Sequence, residues 1–121
     1  MNDRELENYL RSHRRKSGLS QKQLGELLGY ANEVQVSRHE RSEAVPPLPS
    51  ALGYHIVFRV PIAVLFPKLY EDVREAVEAR LGQLEIHLQS RAVRGHEAET
   101  IAQILVWLME RREIDMESDA S

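Results

Sequence analysis

Gln35 and Arg38 carry the most distinctive recognition chemistry in this chain. A glutamine amide can hydrogen-bond in parallel to the N6 and N7 atoms of adenine, and a guanidinium can do the same to O6 and N7 of guanine. Spaced three apart, the two fall on one side of a helix. Val34 could touch a thymine methyl, and Glu33 could accept from cytosine N4. Asn32 and Glu33 form the N-terminal tip, where a helix lying in the major groove meets base edges. Ser20 and Gln21, at the start of the preceding helix, are placed to hold a phosphate. Lys22, Arg41 and Ser42 are further candidates for the backbone. The chemistry of this set is recognition of duplex DNA, with no bond made or broken.

Two short helices must position these residues. Ser20 is a natural N-cap with Gln23 three residues on, a capping box, and Leu19 and Leu24 fall where a hydrophobic staple would lie. Gly29, after Leu27 and Leu28, can end the first helix in a left-handed conformation. Asn32 and Gln35 repeat the cap-plus-N3 spacing for the second. The stretch SQKQLGELLGYANEVQVSRHERS therefore predicts helices near 21–28 and 33–41 joined by a tight turn, a helix-turn-helix. Within the second helix, Val36, His39 and Glu40 point inward, while Val34, Gln35, Arg38 and Arg41 point outward.

Composition bounds the rest. The 121 residues suit one small domain with an extension, and 42% apolar residues support a real core. With 6% aromatic residues and few β-branched runs, that core should be aliphatic and helical. The absence of cysteine removes disulfides, thiolate zinc sites and a cysteine nucleophile. No signal pattern or membrane-length apolar run occurs, so a soluble cytoplasmic protein is expected. The net charge of −3 is unevenly spread: residues 1–60 hold nine Lys/Arg against seven acids, and residues 61–121 seven against twelve. Arg11 to Lys16 form a local basic cluster, and phosphate contact needs only a local basic face. The five histidines lack zinc-ligand spacing, Ser37 has no triad signature, and Glu71, Asp72 and Glu75 look like a helix start. No metal, no cofactor and no enzymatic activity are expected.

Helical spacing continues on both sides of the motif. Leu6, Tyr9, Leu10 and His13 predict a helix from about Asp3 to Lys16, stopped by Gly18. Pro49 fits the first turn of a fourth helix whose core side would be Leu52, Ile56 and Val57, weakened by Gly53. Pro61 opens a short fifth helix, Ile62 to Phe66, closed by Pro67. Leu69, Val73, Ala76, Val77, Leu81, Leu84 and Leu88 then predict one face of a long helix to about Arg91. After Gly95, a last helix from about Glu97 to Arg112 should bury Ala98, Ile101, Leu105, Leu108 and Met109. Ile104, Val106 and Trp107 widen that surface beyond one contact. The acidic tail from Glu113 is expected to fray.

LRSHRRKSGLSQKQLGELLGY, VSRHERS and PPLPSALGYHIVFRVPIAVLFP together resemble the Xre family of lambda-repressor-like helix-turn-helix regulators. The resemblance covers roughly Leu6 to Pro67, with Gly25, Gly29 and the S-R-x-E run in family order. It implies a five-helix DNA-binding domain over 6–67, acting as a dimer on operator DNA. It implies DNA contacts at the positions named above, and a structural ion pair between Arg14 and Glu40. The turn before Val36 is one residue longer than in the shortest members. Ser42 and Arg59 stand where glycine is common, Ser42 at a left-handed cap.

The sequence expectation is thus an all-α chain: the five-helix domain, a two-helix extension over 68–113, and an acidic tail over 114–121. The extension either packs on its own chain or dimerises. The expected function is sequence-specific binding of double-stranded DNA by a homodimeric regulator, a repressor acting by occupancy. The alternative is a protein-interaction module, antitoxin-like or an adaptor, whose C-terminal helices hold a protein partner.

Overall fold

Leu10, Leu24, Val36, Tyr54 and Leu65 have no exposed surface, and Phe66 almost none. These six come from five separate stretches of chain, so their burial draws the first half of the molecule together around one point. A computed structural model describes residues 7–91 and 93–120, with side chains through Ile114. Seven helices and no strand occur among the described residues: α1 (Leu10–Ser17), α2 (Gln21–Leu27), α3 (Val34–Glu40), α4 (Leu48–Phe58), α5 (Ile62–Leu65), α6 (Pro67–Gln89) and α7 (His96–Ala120). No helix among them is long and apolar enough to cross a membrane. The chain divides into two compact units, Met1–Arg74 and Glu75–Ser121, so the boundary falls inside α6 and not at Pro67.

In the first unit, α1 begins later than its apolar spacing suggests. Residues 3–6 of that expected helix lie outside the described residues. The Asn8 carboxamide oxygen accepts from the Leu10 backbone N–H at 3.0 Å, a side-chain turn that delays the helix to Leu10. Gly18 ends it with φ +82°. α4 has Pro49 in its first turn as expected, but its inner face is different. Tyr54 and Ser50 are buried and Val57 is partly so, whereas Leu52 and Ile56 are exposed. The large aromatic wins the core side: Tyr54 lies 6.5 Å from Phe58 and 6.4 Å from Phe66, centroid to centroid. Gly53 faces Leu28, whose side chain occupies the space a methyl group would need. Pro67 does not close α5; it is the first residue of α6, where a missing N–H costs nothing.

In the second unit, the last part of α6 and α7 are linked by ion pairs Glu78–Arg111 and Glu85–Arg112. Arg91 pairs with Glu97 across the turn, where Gly95 takes φ +71°. Leu88, Ile101 and Leu108 are buried, but Val77, Leu84 and Met109, expected on core faces, are exposed. In the first unit, Leu69 and Val73 of the same expected stripe are exposed too. One helix cannot cover so broad an apolar surface on another. The acidic tail, expected to fray from Glu113, continues α7 to Ala120.

Candidate nucleic-acid interface

The helix pair is built by its caps and by one glycine. Ser20 Oγ accepts from Gln23 N at 3.0 Å, and Ser20 N donates to Gln23 Oε1 at 2.9 Å, so the predicted capping box is present. Gly29 takes φ +90°, and Tyr30 N donates back to Gly25 O at 2.8 Å, closing α2. A Cβ at Gly25 would sit 2.6 Å from the Asn32 carbonyl oxygen. The turn can pass against α2 only because that side chain is missing.

The second helix starts differently from its expected form. Asn32 Oδ1 accepts from Val34 N at 3.0 Å, and Glu33 is the N-cap without a side-chain cap bond. Glu33 and not Asn32 stands at the N-cap, so Gln35 is not at N3 and no second capping box forms. Asn32 keeps its amide N–H groups uncommitted by this bond.

Behind α3 the side chains are tightly held. Glu40 has no exposed side-chain surface and Arg14 little. Arg14 Nε donates to Glu40 Oε2 at 2.6 Å, Nη2 to Oε1 at 3.2 Å, and Nη1 to the Leu19 carbonyl at 3.1 Å. Gln21 Nε2 also donates to Glu40 Oε1 at 2.9 Å, and Arg11 Nε lies 3.6 Å from the same oxygen. Gln21, expected at a phosphate, therefore spends its amide on the structural carboxylate. Arg14 does likewise, while Arg11, about half exposed, stays with Arg15 and Lys16 in the outward part of the basic cluster. Along α3, His39 Nδ1 meets the Tyr54 hydroxyl at 2.8 Å with its ring buried, while Tyr30 and Ser50 share a hydrogen bond beside it. Burial, and secondarily Arg38, hold the His39 pKa below its ordinary value. Burial raises the Tyr54 pKa well above that of a free phenol, helped by Tyr30 and Glu40.

The opposite side of α3 is open. Val34, Arg38 and Arg41 are exposed, as are Asn32, Glu33, Lys22 and Ser20, whereas Gln35 is half-buried. Arg38 has no ion-pair partner among the described residues. Arg41 pairs with Glu43 at 2.8 Å, both about half exposed, an attachment weak enough for a phosphate to replace. Ser42 takes φ +58°, and its hydroxyl accepts from Asn8 Nδ2 at 3.0 Å. Comparison with protein-family models, with curated proteins and with solved structures found no match. The arrangement therefore stands on its own chemistry.

Asn8 is the residue that sequence reasoning missed. Besides turning the chain into α1, it donates to the His39 carbonyl at 3.0 Å and so ties the end of α3 to the first helix. Its signal was available locally, since an asparagine two residues before an apolar helix start favours such a turn. No local rule pairs Gln21 with Glu40. Among the described residues, no three of His, Asp or Glu come together as metal ligands.

Proposed function

We propose that this chain is a sequence-specific double-stranded DNA-binding regulator of the Xre, lambda-repressor-like type, repressing by occupancy of an operator as a homodimer. In this reading α1–α5 are the five-helix DNA-binding domain and α6–α7 its two-helix extension. The observation that carries it is the asymmetry of α3. Its inner side chains, Val36, His39 and Glu40, are buried and hydrogen-bonded or packed, while Val34 and Arg38 project outward. A helix held this firmly can keep side chains in register with base edges, which loosely held helices cannot do. Arg38 and Gln35 are the base readers, with Val34, Glu33 and Asn32 at the tip. Ser20, Lys22, Arg41 and Ser42 meet the phosphates, and Gln21 acts through Glu40. Blocking polymerase needs no cofactor and no catalysis.

The exposed apolar surface of the second unit favours a second reading, a protein-interaction module with DNA binding secondary. Salt separates the two. Operator binding should weaken with a log–log slope of about −0.9 for each phosphate neutralised. On a selected site, Arg38→Ala should cost about 1–3 kcal/mol and relax preference at one base position. Unchanged preference in a folded Arg38→Ala protein would remove Arg38 from the reading set. Weak binding without any sequence preference would favour the interaction module.

A further inference from the structure

The amide of Asn8 can be oriented in one way only. Its Oδ1 accepts from the Leu10 N–H at 3.0 Å, and its Nδ2 faces the His39 carbonyl, which can only accept, at 3.0 Å. The same Nδ2 also donates to Ser42 Oγ at 3.0 Å. An amide nitrogen accepts nothing, so the Ser42 hydroxyl proton cannot return to Asn8 and is left to donate elsewhere. That hydroxyl has no other partner among the described residues, and Ser42 is exposed beside Arg41 at the end of α3.

The backbone is unusual at the same place. Ser42 holds φ +58°, where glycine would be free of strain, and its N–H donates at 3.1 Å to the His39 carbonyl that Asn8 also uses. Glu43 N closes the turn on Arg38 O at 2.9 Å. Strain of that kind persists only where the surroundings hold it, and the Asn8 bond to Oγ is one such hold. A hydroxyl with a proton to give, next to the Arg41 guanidinium, suits an oxyanion such as a backbone phosphate. We infer that Asn8 is a positioning residue of the DNA-binding surface. By donating to Ser42 Oγ it leaves the hydroxyl proton for a phosphate of the duplex, and by holding the His39 carbonyl it fixes the end of α3 that carries this hydroxyl. The inference rests on the proposed DNA binding and adds to it a residue outside the helix pair.

Binding of the full chain to a mixed-sequence duplex over a range of salt tests it, since a phosphate contact needs no particular site. Ser42→Ala and Asn8→Ala should each weaken binding about tenfold, because a hydrogen bond to a charged group is lost. The salt slope should keep its wild-type value, since the slope counts phosphates neutralised by cations and a hydroxyl is neutral. In a Ser42→Ala background, Asn8→Ala should cost less than about a further twofold, the mark of one residue acting through another. Asn8→Asp keeps the acceptor for the Leu10 N–H but has no N–H to donate. Circular dichroism should show its helices intact, while its binding falls at least as far as that of Asn8→Ala. Wild-type affinity in the folded Asn8→Ala and Asn8→Asp proteins overturns the inference. So do losses that multiply in the double variant, or an Asn8→Ala slope shallower by about 0.9, which would put a displaced Arg41 behind the effect. Wild-type binding without sequence preference would refute the operator reading and leave this one standing; a wild-type chain that binds no duplex refutes both.

Discussion

The Glu40 carboxylate, without exposed surface, is met by Arg14 through two hydrogen bonds and by Gln21 through a third. A buried charge is tolerable only when so many donors replace water. Arg14→Ala should therefore lower stability by about 3 kcal/mol, the lower end for a broken buried pair because Gln21 stays in place. Thermal unfolding checks this, and the double variant Arg14→Met/Glu40→Leu should recover much of the loss. If the double variant is as unstable as the single one, the stranded charge is not the cause. His39 gives a second test. Its folded pKa lies below its unfolded value, so the unfolded state takes up the proton first. The stabilisation is complete above about pH 6.5 and falls as pH drops through that value toward the folded pKa, by up to about 1.4 kcal/mol per pH unit. Wild-type Tm should fall more between pH 7.5 and pH 5.5 than that of His39→Gln. Equal falls would mean that the ring's burial does not govern its protonation.

At the scale of elements, close approach decides where glycine matters. Gly25→Ala gains about 1 kcal/mol in helix propensity but drives a methyl against the backbone oxygen of Asn32 at 2.6 Å. Backbone cannot step aside as a side chain can, so the net effect should be a loss of about 1–3 kcal/mol and weaker DNA binding. Gly53→Ala meets only the flexible end of Leu28 and should be far milder. Calorimetry of the two variants checks the contrast. The same distinction explains what the sequence could show. The Ser20–Gln23 box, Gly18, Gly29 and Pro49 act through neighbouring backbone, and helices α1, α2 and α4 carry them where local rules place them. Asn32 failed as a cap because α3 begins only at Val34, after Glu33, and the Asn32 side chain reaches the first helical N–H and not one a turn further on. Leu52 and Ile56 lost the core side to Tyr54 because a helix with apolar residues on several faces leaves the choice to its neighbours. In the candidate site, the inward set Val36, His39 and Glu40 was legible from a period of 3.6, while the Gln21–Glu40 bond, across 19 positions, had no local signal.

For the whole molecule, the exposed side of α3 and the exposed apolar residues of α7 and of α6 beyond Arg74 belong to separate units. In the proposed regulator the first reads a half-site and the second supplies the symmetry. Two reading helices related by a two-fold axis would address half-sites about 34 Å apart, one turn of duplex. The most direct measurement is to sequence the duplexes that the purified protein retains from a random pool at physiological salt. The account predicts an enriched palindrome with half-sites one turn apart. A folded protein that enriches no sequence would contradict it.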